Sequence, residues 1–201
     1  MIKLISEPLK PYFETYSDLI IKYDDIYGVA QLDDELTQGH IDSLDSEVDL
    51  SQDETTQFFV GMTQDAYDEA GVISERIDEL IKELKNPEMV RYIRESRLAL
   101  VKKIAELETK LPEIKKLEAR VEEKTNSYAK KENTSEEIAG IMLKVADKRY
   151  RADSLKLSEF EKELFDAKHT LQVLDRMERE VTGLLIPENM LEKYVNGKGT
   201  I

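Results

Sequence analysis

The chain has no cysteine and no tryptophan, which removes disulfide scaffolds and thiolate metal sites from consideration and leaves folding to burial alone. Its 201 residues suffice for that, because a chain of this size can bury an adequate core without covalent staples. No run of Val, Ile and Thr alternates with period two between turn signals, so nothing reads as a β-sheet. No apolar run approaches the roughly 20 residues of a membrane-spanning helix. The first ten residues are broken by Lys3, Glu7 and Pro8 and lack the apolar core of a signal peptide. These absences set the expectation of a soluble, cytoplasmic or otherwise intracellular protein.

Positive charge is missing where it would matter for anionic partners. Residues 1–70 hold three Lys and no Arg against 17 Asp and Glu, whereas residues 71–201 hold 26 basic and 26 acidic groups. The N-terminal third therefore carries the whole net charge of −14. Such a segment repels phosphates and anionic lipid headgroups, which disfavours nucleic acid and gives membranes second place to protein partners.

What the sequence does have is helical periodicity. Tyr12, Phe13, Tyr16, Leu19, Ile20, Tyr23, Ile26 and Tyr27 recur at helical spacing after Pro8 and Pro11, with Gly28 as the expected stop. Five aromatics within 16 residues of a chain that is 7% aromatic serve either core packing or a partner. Residues 29–51 interleave acids with Leu32, Leu36, Ile41, Leu44, Val48 and Leu50, which reads as a linker or as a segment that orders on a partner. Tyr12, Phe13, Tyr16, Tyr23, Tyr27, Leu44 and Val48 are accordingly the candidate partner-binding residues.

Ser51 and Glu54 form a capping box for a helix over about 52–85, which Asn86-Pro87 ends. A helix over about 88–131 follows, with Ile104, Leu107, Leu111 and Ile114 on its seam and a kink or break expected at Leu111 from Pro112. After a polar tip at 130–133, Thr134 and Glu137 offer a second capping box for a helix over about 134–183. Its heptad seam includes Leu157, Phe160, Leu164, Leu171 and Leu174, and Gly183 and Pro187 close it. The expected fold is all-α: an elongated antiparallel helical bundle with a long coiled-coil hairpin and an acidic N-terminal arm. Its parts would be the arm over 1–50, a three-helix bundle over 51–185, and a short helix and tail over 186–201.

Catalytic groupings are scarce. Asp45, Glu47, Asp49 and Asp53 alternate like a calcium loop, but Leu50 stands where the turn needs glycine and Thr56 where a bidentate glutamate is required. Asp166 and His169 have di-iron spacing without the repeat such a site needs. Glu75, Asp78, Glu159, Glu163 and Asp166 would suit magnesium in an all-helical nucleotide hydrolase, yet they sit among Arg76, Lys82, Lys156, Lys162 and Lys168 as in any charged helical surface. No phosphate loop or nucleophile elbow occurs. The basic and acidic groups from Lys124 to Lys156 net +3, a weak patch for a membrane or nucleic acid. The expectation is thus a non-enzymatic structural or adaptor subunit, cellular or viral, without cofactor or metal. It would assemble with protein partners or with itself through its seam and arm. A crescent-shaped, membrane-binding helical dimer and the metal-dependent hydrolase stand as the alternatives.

Overall fold

The computed structural model describes residues 2–44 and 49–196, with Ile2 described for its backbone only. Among these residues it is an all-α helical bundle: two single-turn 3-10 segments lead into α1 (Lys10–Ser43), α2 (Glu54–Leu84), α3 (Pro87–Thr109), α4 (Leu111–Glu132), α5 (Glu136–Ala146), α6 (Lys148–Thr182) and α7 (Glu188–Val195). No described residue lies in a strand. The chain forms two compact units. One comprises Glu7–Tyr92 and Met177–Leu185, the other Met1–Ser6, Ile93–Arg176 and Ile186–Ile201.

In the first unit, α1 and α2 pack as an antiparallel hairpin. The ring of Tyr27 meets Tyr67 edge-on at 5.8 Å, and farther along α1 the ring of His40 meets Phe59 at 5.9 Å. The partner number falls as the α1 number rises, which is the antiparallel register. Phe13, Tyr16, Ile20, Ile73, Ile77 and Leu84 are buried at the base, where Tyr16 donates its hydroxyl proton to Glu180 Oε2 at 2.7 Å. Towards the tip the buried layer shrinks to Ala30, Thr37, Thr56, Thr63 and Ala70. Thr37 and Thr63 satisfy their hydroxyls on the carbonyls of Asp33 and Phe59, one turn back on their own helices. Small side chains let two backbones approach closely, but they bury little apolar area, so the tip half of the hairpin is held more weakly than its base.

α1 does not end at Gly28. It runs 15 residues further to Ser43 through the segment read as a linker. A helix-interior glycine costs about 1 kcal/mol, and the burial of Ala30 and Thr37 against α2 outweighs it, as tertiary packing commonly outweighs propensity.

In the second unit the seam residues are all buried or half-buried: Ile104, Leu107, Leu111, Ile114, Leu157, Phe160, Leu164, Leu171 and Leu174. Ion pairs Arg97–Asp175, Lys103–Glu163 and Arg120–Asp153 join α3 and α4 to α6 with opposed numbering, so these helices run antiparallel there. Pro112 does interrupt the helix. The break falls at Lys110, which leaves Pro112 in the first turn of α4, where its missing N–H has no partner to lose. Arg97, only 1% exposed, donates to Asp175 Oδ1 at 2.6 Å and to the Ile186 carbonyl at 3.1 Å, and so ties α3, α6 and the segment before α7 together.

Two helix starts differ from expectation, and so does one helix interior. Asp53, not Ser51, caps α2 by accepting from the Thr56 amide, and Ser135, not Thr134, caps α5 by accepting from the Ile138 amide. Asn133, in the left-handed region at φ 51°, ends α4. The expected continuous helix over 134–183 is divided at Asp147. Its carboxylate accepts the Arg149 and Tyr150 amides, each at 2.9 Å, and so caps α6 from a position that helical periodicity alone would place mid-helix. Lys124 holds the same carboxylate in an ion pair, and these contacts, led by the Lys124 bond, keep its pKa below the ordinary value. Arg151 closes the end of α5 by donating to the carbonyls of Lys144 and Val145 at 2.6 and 3.0 Å.

Candidate interaction surface

The candidate partner-binding residues separate by burial. Phe13 and Tyr16 are in the core of the hairpin unit, Tyr12 and Leu44 are half-buried, and Val48 lies outside the described residues. Tyr23 and Tyr27 stack on one another with centroids 5.6 Å apart, and Tyr27 leans on Tyr67, so this pair lies along the α1–α2 contact.

Tyr27 still reaches solvent, as do Ile21, Val60 and Val72, and further exposed apolar side chains line one face of α1. Val29, Leu32 and Leu36 follow the 3,4 spacing of one helical face and are exposed, Leu32 and Leu36 each by 60%. Position 40, four residues after Leu36, continues that face with His40. Its ring contacts Phe59, and Phe59 in turn meets Phe58, which is 63% exposed. Met62, four residues after Phe58, is also exposed. The result is an apolar strip that runs along α1 and crosses to α2 near the turn. Helical spacing was the sequence signal for it.

This strip lies in the most acidic part of the chain. Residues 23–75 contain 15 Asp and Glu and no Lys or Arg, so they carry a formal −15 and the remainder of the chain +1. Carboxylates so close together repel one another and favour a cationic counterpart.

At the turn, Asp53 accepts from the Thr56 hydroxyl and amide, each at 2.7 Å, and meets His40 Nε2 at 3.0 Å. These contacts, the Thr56 hydroxyl first, lower its pKa from 3.8 to about 2. Because the folded value lies below the ordinary one, the stabilisation is complete above pH 4 and is lost as the pH falls towards 2. Asp53→Ala should therefore lower Tm at neutral pH and flatten the decline of Tm between pH 4 and 2, a comparison that circular dichroism melts make directly.

The second unit offers other chemistry. A groove of about 1180 Å³ beside the Lys110 break is lined by Lys110, Lys116, Arg120 and Lys156 and by Glu113, Glu159 and Glu163, over a floor that includes Ile114, Leu117 and Phe160. Its charges are nearly balanced, and Glu163 already bonds Lys103 at 2.9 Å, which raises the lysine's pKa. His169 stacks on Phe165 at the surface. Among the described residues, no helix is long and apolar enough to cross a membrane.

Compared with known protein families, curated proteins and solved structures, the chain matches none. A functional reading therefore has to come from the residues.

Proposed function

We propose that the protein is a non-enzymatic structural or adaptor subunit whose α1–α2 hairpin docks onto a basic, apolar helical surface of a protein partner in a larger assembly. The observation that carries this is the exposed strip of Val29, Leu32, Leu36, Phe58 and Met62 on a hairpin whose residues 23–75 carry a formal −15. Apolar side chains packed towards the tip of a folding unit normally turn inward. Here the buried layer is alanine and threonine, and the leucines and phenylalanine face solvent. An exposed apolar surface rimmed by charge marks an interaction site, and the rim chooses the partner.

A fluorescently labelled, lysine- and leucine-rich amphipathic helical peptide provides the test. Its anisotropy should rise on titration with the protein, and the affinity should weaken steeply as salt increases. Leu32→Asp with Leu36→Asp should abolish that binding and leave Tm almost unchanged, since exposed substitutions usually alter stability by no more than about 0.5 kcal/mol. Equal binding by the double variant, or no binding by the native chain, would refute the reading.

A further inference from the structure

α5 is apolar on two faces. Ala139 and Leu143 are buried, and the helix packs on α4. Ile138, Ile141, Met142 and Val145, at positions i, i+3, i+4 and i+7, form a second stripe that reaches solvent, with Val145 74% exposed. A helix apolar on both sides calls for a cover on both. The stripe is held in a fixed orientation, because Arg151 and Asp147 lock the turn from α5 into α6. Its sequence neighbours carry a small positive excess: Lys130, Lys131, Lys144, Lys148, Arg149 and Arg151 against Glu132, Glu136, Glu137 and Asp147.

We infer that the occupant of the α5 stripe is the acidic hairpin of a second copy of this chain. The inference rests on the reading of the hairpin as a docking face and names its partner. The two surfaces complement each other in charge, and each presents aliphatic side chains at 3,4 spacing, the pattern by which helices interlock. Pairing two hairpins would instead bring together two segments of −15, which repulsion opposes. A hairpin-to-α5 contact joins different patches on the two copies, so it is heterologous and extends into a ring or an open chain. A membrane is the weaker occupant, because four acids dilute the six cations around α5.

Light scattering on two full-length variants tests this: a hairpin variant, Leu32→Asp with Leu36→Asp, and a tip variant, Ile141→Glu with Val145→Glu. Circular dichroism confirms that each is folded. The native chain should form species of several times 23.2 kDa that dissociate as salt rises, and each variant alone should be monomeric. Mixed in equal amounts, they should give a two-chain complex and nothing larger, because each supplies the one surface the other has lost. A third variant, Lys148→Glu with Arg149→Glu, should weaken assembly without altering the apolar stripe. A monomeric native chain, or a mixture that stays monomeric, overturns the inference. If the cationic peptide still binds the hairpin in that case, the docking reading survives and only the self-partner falls. Sedimentation of the hairpin variant, but not the tip variant, with vesicles of phosphatidylserine and phosphatidylcholine overturns it in favour of a membrane.

Discussion

Arg97→Ala should destabilise the fold by about 3 kcal/mol, at the lower edge of the range for breaking a buried ion pair. The lower edge applies because Asp175 is 25% exposed, so water can partly solvate it once its partner has gone. The guanidinium is 1% exposed and bonds both that carboxylate and the Ile186 carbonyl, so truncation leaves two acceptors without their donor and a cavity where the side chain packed. For a chain of this size the loss corresponds to a fall in Tm of roughly 6–12 °C. Urea denaturation should show a lower midpoint at an unchanged slope. Replacing both partners with apolar residues, Arg97→Met with Asp175→Leu, should recover part of the loss, because an intact buried pair gains little over a well-packed apolar pair. A single Arg97→Ala variant with a native midpoint would show that the arginine does not join α3 to α6.

The opposite effect is expected in the hairpin. Gly28, Gly39, Gly61 and Gly71 lie inside α1 and α2, and a Cβ added at any of them meets nothing within 4 Å. Each carries the entropic cost of a helical glycine without a contact that requires it. Changing all four to alanine should stabilise the protein by about 2–4 kcal/mol, the sum of four well-separated helix-propensity gains. Thermal melts should rise by roughly 5–15 °C, and backbone amides of α1 and α2 should exchange more slowly with deuterium. A fall in stability would mean that the glycines do serve a close approach within the folded chain. If the hairpin does form a docking face, its soft, glycine-bearing helices let the strip adjust to a partner at the expense of local stability.

The helical class was legible because the period of 3 and 4 is maintained over most of the chain. Prolines and a left-handed cap also announced themselves: Pro87, Pro112 and Gly183 each stand at a helix boundary. What periodicity missed were decisions made by single polar side chains. Asp147 fits a helical register as well as any residue, and only the amides it reaches in three dimensions reveal it as a cap. Gly28 misled in the other direction, since its cost is smaller than the packing that carries α1 across it. The 29, 32, 36 spacing is visible in the sequence, but it has no meaning if those residues belong to a linker. Phe13 and Tyr16 are large enough to be worth burying, whereas the exposed strip is mainly aliphatic.

The apolar strip on the acidic hairpin is proposed as a docking face. The most direct measurement is methyl NMR of the full chain, labelled at Leu, Val, Ile and Met, during titration with the lysine-rich amphipathic peptide. Shifts should concentrate at Val29, Leu32, Leu36 and Met62 and fade as salt is raised. Shifts confined to other methyl groups, or none at saturating peptide, would contradict it.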